Sequence, residues 1–186
     1  MRARLALAGM AAALASPAYA ATGQSSTAIG QAQAVIIAPI IAVSLGDLDF
    51  GSLTSSLTAS GSVTVGAEGG ATYAGGAAPA CAGGGSCAGI APARFLVSGE
   101  AGRSYIVSAP AAITATGTLT AGGSAPALAI DALSVHLASH AGSGTSIGQL
   151  DERGEDRIGV GGRLNVPAGT AAAHYRATLT IMVTYS

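Results

Sequence analysis

The chain has 186 residues, of which only 9% are charged while 49% count as hydrophobic; 43 are Ala and 28 are Gly. So little charge, against the roughly 25% usual for a soluble domain, first points to a membrane protein, yet much of the apolar count is the methyl groups of Ala rather than bulk. Beyond the N-terminus no run of eighteen apolar residues escapes interruption by Gly, Ser, Thr or Pro, so no spanning helix is expected. A formal charge of −1 leaves no basic patch for nucleic acid, and every basic residue is Arg. Without Lys the chain offers no Lys-Asn isopeptide, no P-loop lysine and no Schiff base.

In chain order, Arg2 and Arg4 precede a short apolar run and the small-x-small triplet Ala18-Tyr19-Ala20. This is the pattern of a secretory signal cleaved after residue 20, and it places the mature chain in the periplasm, at the cell surface or outside the cell. Residues 21–33 are small and polar and read as a flexible extension. A single β-sandwich domain is expected over residues 34–186. Its first strand, residues 34–45, has Val35, Ile37, Ile41, Val43 and Leu45 on one parity and Ile36 and Ile40 on the other, as in a strand buried on both faces. Pro39 removes a ladder donor, so the strand kinks there, sits at an edge or changes sheet.

Asp47-Leu48-Asp49-Phe50-Gly51 sets one of two Phe residues beside a turn. A short strand is expected at residues 62–67, and the Gly/Ala tract from 66 to 92 reads as a surface excursion. It carries both cysteines, Cys81 and Cys87, spaced for a local disulfide at a loop tip in an oxidising compartment. Strands at 93–98 and 104–108 flank Gly99-Glu100-Ala101-Gly102 as a hairpin. Further strands are expected at 112–120 and 127–138. In the second of these the apolar parity changes from Leu128 and Ile130 to Leu133, Val135 and Leu137, which predicts a bulge at Asp131-Ala132. Residues 151–157 hold six charged side chains and read as a solvated turn. Ile158, Val160, Gly162, Leu164 and Val166 keep one parity. After Pro167-Ala168-Gly169, Tyr175, Ala177, Leu179, Ile181, Val183 and Tyr185 keep one parity to the end, opposite a nearly all-polar face.

No catalytic, cofactor or metal constellation emerges. His136 and His140 read as rim residues, and Asp47, Asp49 and the 151–156 carboxylates lack the spacing of a cation cage.

The signal, the proline-interrupted first strand, the 47–51 motif, Phe95-Leu96-Val97-Ser98-Gly99-Glu100-Ala101-Gly102-Arg103-Ser104-Tyr105, Val160-Gly161-Gly162-Arg163-Leu164-Asn165-Val166-Pro167-Ala168-Gly169 and the ending Thr180-Ile181-Met182-Val183-Thr184-Tyr185 together resemble the bacterial secreted family called domain of unknown function 4402. More distantly, the Leu48-Asp49-Phe50-Gly51 element and the alternating strand ending in Tyr185 look like spore coat protein U-type domains and chaperone-usher pilins. That resemblance implies an immunoglobulin-like antiparallel β-sandwich with an incomplete terminal edge, and a Gram-negative periplasm or surface. It also implies strand addition, in which a periplasmic chaperone and then, at the usher, another subunit's N-terminal extension fills the open edge. On this sequence Leu179, Ile181, Val183 and Tyr185 would line the partner-strand groove, and residues 21–33, with Ile29 and Gly30, would be the donor in self-association. An ordinary closing strand of a complete sandwich shows the same alternation. That alternative makes the chain a self-contained secreted module, for example for glycan binding or adhesion.

Overall fold

The alternating stretch before Pro167 becomes the strand on which the rest of the fold is assembled. In the computed structural model, which describes residues 26–81, 89–140 and 146–186, there are thirteen strands and no helix among the described residues. In chain order they are β1 (Ile41–Gly46), β2 (Leu53–Ser55), β3 (Gly61–Val65), β4 (Ala71–Gly75), β5 (Ala77–Pro79), β6 (Ala93–Ser98), β7 (Ser104–Ser108), β8 (Ala112–Leu119), β9 (Ser124–Leu137), β10 (Ile147–Gln149), β11 (Glu155–Val166), β12 (Ala173–Arg176) and β13 (Met182–Tyr185). The chain divides into two units, Met1–Val35 and Ile36–Ser186. All strands belong to the second.

β11 pairs along one edge with β6 and then β3, and along the other with β9. With β1, β4, β8 and β12 added, this makes an eight-stranded antiparallel sheet. A three-stranded sheet, β10-β7-β13, and the two-stranded pair β2-β5 complete an antiparallel β-sandwich, the fold class expected from the sequence. Its interior falls into two cores. The first gathers Val97, Tyr105, Val107, Leu137, Leu150, Ile158 and Val160; the second gathers Val63, Ala77, Ala115, Leu128, Ile130, Leu164 and Val166.

β9 and β11 serve both cores. The predicted bulge is what allows it: Ala132 has φ of 46°, and the ladder to β11 shifts register opposite it. Leu128 and Ile130 face the second core, and Val135 and Leu137 face the first. Asp131 fixes the bulge, accepting from Arg163 Nε and Asn165 Nδ2, each at 2.8 Å.

Large rings fit a chain of small side chains because they lie over glycine. Tyr105 pairs with Gly148 and Tyr175 with Gly117 across their ladders. A Cβ on either glycine would collide with the ring. The same economy operates on the outer face of β11, where Gly159 and Gly161 leave room for the backbone of residues 65–67.

Several expectations are corrected. β6 and β7 have the expected bounds but form no hairpin: β6 pairs β1 and β11, and β7 pairs β10 and β13. The 99–103 turn therefore crosses between sheets. The first strand begins only at Ile41, after Pro39, and lies at a sheet edge. It is not buried on both faces. Its register sets Ala42 opposite Val97 and Ser44 opposite Phe95 on the core side, so Ile41, Val43 and Leu45 point outward and are about half exposed. The Gly/Ala tract is not all excursion, since β4 and β5 lie within it and Tyr73 packs on the second core. The terminal stretch is two strands rather than one: β12 pairs β8 in the large sheet, and β13 pairs β7 in the small one.

Candidate functional site

β13 is the last strand of the small sheet, and its register is Met182 to Ser108, Val183 to Val107, Thr184 to Ile106 and Tyr185 to Tyr105. The Ser186 amide donates to Ser104 O at 3.2 Å. In an antiparallel ladder, alternate residues turn their backbone groups toward the partner. Met182 and Thr184, in phase with Ser186, therefore bond to β7, and the N–H and C=O of Val183 and Tyr185 point to the other side. Among the described residues no strand pairs with that side. An unpaired edge of this kind is a template for an added strand.

The side chains follow the predicted parity. Leu179, Ile181, Val183 and Tyr185 all pack on the first core, and each is half-buried rather than buried. Thr180, Met182 and Thr184 face water. On β1, the positions on the core side are the small Ala42 and Ser44, both exposed. The first core is thus incompletely covered both at β13 and on the core side of β1.

Tyr185 closes one end of the uncovered β13 edge. Its hydroxyl accepts from the Glu100 amide at 2.7 Å and donates to Ala38 O at 2.8 Å, while the Ala38 amide donates to Glu100 Oε2 at 3.0 Å. The Arg103 guanidinium sits 5.7 Å from the Tyr185 ring centre, and Gly99 has no side chain because one would strike the Tyr185 hydroxyl. This ring of three hydrogen bonds joins the segment before β1, the sheet-crossing turn and the last strand. Glu100 and Ala38 carry no sequence signal for the role. Only the crossing of the 99–103 turn brings them to Tyr185.

The opposite flank of the small sheet is locked by a buried polar clip. Asp156 is only 7% exposed, which corrects the reading of residues 151–157 as a solvated turn. Its carboxylate accepts from the Tyr105 hydroxyl at 2.6 Å, the Ser139 amide at 3.1 Å and the Arg157 amide at 2.7 Å, and also from the Ser139 hydroxyl. The Gln149 amide donates to Ser139 Oγ at 3.1 Å. Four donors are what a carboxylate needs to be buried without large cost. The phenol of Tyr105 is pushed well above its ordinary pKa, first by burial and then by the Asp156 hydrogen bond and charge. Ser139 gives its proton to Asp156 and accepts Gln149, the geometry of a strut between sheets rather than of a nucleophile.

Over the clip, Leu96, Asp151, Arg153, Glu155 and Arg157 line, with the clip's own Ser139, Gln149 and Asp156, a cleft of about 390 Å³. Asp151 accepts backbone donors from Glu155 and Arg153 at 2.8 Å each, and the Glu155 bond above all holds its carboxyl below the ordinary range. Asp49 likewise makes a turn, accepting from the Gly51 amide at 2.7 Å and bridging Ala91, while Leu48 packs on the first core and Phe50 on the second.

His136 is a partly buried residue whose Nε2 lies 3.3 Å from Glu68 Oε1; His140 bridges back to Leu137. Among the described residues no cluster of three or more His, Cys, Asp or Glu is placed to hold a metal ion. Also among them, no helix is long and apolar enough to cross a membrane. The expected leader at residues 1–20, the extension before residue 26, and Cys87 lie outside the described residues, and with Cys87 the expected Cys81–Cys87 pairing. Of the donor candidates, Ile29 and Gly30 are both exposed.

Comparison with curated proteins and with solved structures finds no match. The family model described as Domain of unknown function (DUF4402) matches residues 41–185, from the first residue of β1 to the last of β13, and the chain belongs to that family.

Proposed function

We propose that the protein is a non-enzymatic, exported structural subunit of a fimbria-like surface assembly, joined to its neighbours by β-strand addition at the outer side of β13. The observation that carries this reading is that β13 is paired on one side only, over a core whose Leu179, Ile181, Val183 and Tyr185 stay half-buried. An uncharged, open edge beside an open core needs a covering strand to avoid aggregation. A periplasmic chaperone would supply it first, and the N-terminal extension of another subunit, delivered at the usher, would replace it. The likeness of the Asp47 to Gly51 motif and of the terminal alternation to spore coat protein U-type domains and chaperone-usher pilins supports the same reading. In the oxidising compartment this implies, Cys81 and Cys87 close a seven-residue loop tip as a disulfide. The chain carries a signal over residues 1–20 for that export.

The test is co-expression. Exported alone, the chain is expected in low yield and as oligomer or aggregate; with a periplasmic pilin chaperone it is expected as a soluble one-to-one complex. A soluble, cooperatively unfolding monomer obtained without any partner overturns the proposal.

A second reading, a self-contained sandwich that binds a ligand such as a glycan, is favoured by one observation: β13 is fully laddered to β7. The polar cleft around Ser139, Asp151 and Arg157 is then the surface to test.

A further inference from the structure

Charge is unevenly divided along β11. The strand's 12 residues run about 36 Å at roughly 3.3 Å each, and around its start lie Glu100, Arg103 and the six charged side chains of residues 151–157. Around its last residue, Val166, the fold brings together residues 52–62, 124–130 and 164–173, none of which is charged. Two apolar features sit side by side on this end. The first is a cavity of about 160 Å³, with Leu128 and Tyr175 of the second core in its wall and Pro126, Ala127, Pro167 and Ala168 at its exposed rim. A void of roughly 150 Å³ takes a benzene ring, so a leucine side chain fits. The second is Leu57, 85% exposed in the turn between β2 and β3. That turn is braced from within: the Ser56 amide donates to Gly76 O at 2.8 Å, and Ser56 Oγ accepts from the Thr58 and Ala59 amides at 3.2 Å each. It is also fastened to the cavity rim, because the Gly169 amide donates to Ser56 O at 2.8 Å and the Ala168 amide to Ser60 Oγ at 3.3 Å. A single exposed Leu is ordinary. One held on a braced turn beside a cavity of its own size loses little freedom when it docks.

We propose that this end of the domain is an interface with a second copy of this chain, in which Leu57 of each copy enters the other's cavity about a twofold axis. Knob and cavity lie next to each other on one end, so in a symmetric contact each meets its counterpart and neither is left over. The partner's chemistry follows from the charge. A face built from these residues has no ionic group to offer a charged partner, whereas a second copy of the same face meets it with no charge buried. Leu57 is the anchor, and the prolines and alanines of the rim shape the pocket it fills. The contact lies at the far end of β11 from Tyr185 and uses no part of β13, so it stands or falls apart from strand addition.

The experiment uses two charge variants of the whole exported chain, Leu57→Asp and Ala127→Arg, both at exposed positions. Sedimentation is read on the complex with a periplasmic pilin chaperone, whose strand covers β13, or on the chain alone should it prove soluble without one. The wild type is expected to double in mass as concentration rises. Each variant by itself should weaken that association about tenfold or more. An equimolar mixture of the two should recover it, because one contact then joins the introduced acid to the introduced base and the other is native; misfolded variants would not recover. A wild type that stays single at high concentration overturns the proposal, as do variants that associate like the wild type or a mixture no tighter than its components. Such a failure in a stable chaperone complex leaves the β13 reading intact. A dimer of the chain alone, lost in both variants and regained in the mixture, upholds this contact even where the β13 reading has failed. Flotation of the wild type with neutral phosphatidylcholine vesicles in place of self-association, abolished by Leu57→Asp, assigns the face to lipid and overturns the proposal.

Discussion

The two flanks of the three-stranded sheet are built on opposite plans. On the β10 flank, the Tyr105 hydroxyl, Ser139 and the Gln149 amide converge on Asp156, and the sheet is stapled to β9 and β11 through a buried carboxylate. On the β13 flank no such staple is found among the described residues. The last strand has one ladder, half-buried side chains, and a ring of hydrogen bonds at one end only. A sheet clamped on one flank and open on the other keeps its position while it waits for a strand. The clamp holds the sheet in place, and the open flank is where the proposed strand addition acts.

Breaking the clamp should cost most. Asp156→Ala leaves the Tyr105 hydroxyl buried without an acceptor and removes bonds to a charged group, so denaturant unfolding should show a loss of more than about 3 kcal/mol. Tyr105→Phe, which leaves Asp156 its other donors, should lose about 1–3 kcal/mol. Gly148→Val drives a side chain into the Tyr105 ring and should cost a similar amount, about 1–3 kcal/mol.

The open flank responds differently. Thr184→Pro removes an amide that bonds to β7, whereas Val183→Pro removes one that has no acceptor among the described residues and is tolerated at an edge. Thermal melts should show the first destabilised more than the second. Binding of a partner strand should be lost in Val183→Pro even where the fold persists. Tyr185→Phe removes two hydrogen bonds that are partly exposed, about 1 kcal/mol or less in stability, and should show mainly as faster amide exchange at Ala38 and Glu100.

The smallest effects are those of pH. The carboxyl of Asp131 is held below its ordinary range, chiefly by Arg163 and then Asn165, and that of Asp151 by backbone donors. Folded carboxyls with lowered pKa add stability that is present above about pH 4 and is lost as pH falls through the folded values. At the alkaline end the sign reverses. The unfolded chain releases the Tyr105 proton above about pH 10 and the folded one holds it, so stability declines as pH rises further. Tyr105→Phe should remove that alkaline limb and leave the acid limb intact.

Much of this was legible in the sequence, residue by residue. Alternation set the bounds of β6 and β7 and the C-terminal end of β11, and the change of parity between Ile130 and Leu133 marked the bulge. Pairing was not legible, because alternation records which side of a strand is apolar and says nothing of its neighbour. Val97 and Tyr105 look like the two arms of a hairpin whether their strands pair or face each other across a core. For the same reason, Tyr175 and Val183 read as one strand although a sheet change separates them. Asp156 was hidden in a charged run, since no local pattern tells a buried carboxylate with four donors from a solvated one. Val35 and Ile36 misled in the other direction. Their bulk argued for a core that ends, in the folded domain, at Ile40.

The central claim is that β13 has a free side in the isolated subunit. Residue-resolved hydrogen exchange on a chaperone-free subunit, before and after a partner strand is added, tests it directly. The amides of Val183 and Tyr185 should exchange fast and then become protected, while that of Thr184, bonded to β7, is protected throughout. Equal protection of Val183, Thr184 and Tyr185 in the isolated subunit would mean that the edge is already covered, and would contradict the account.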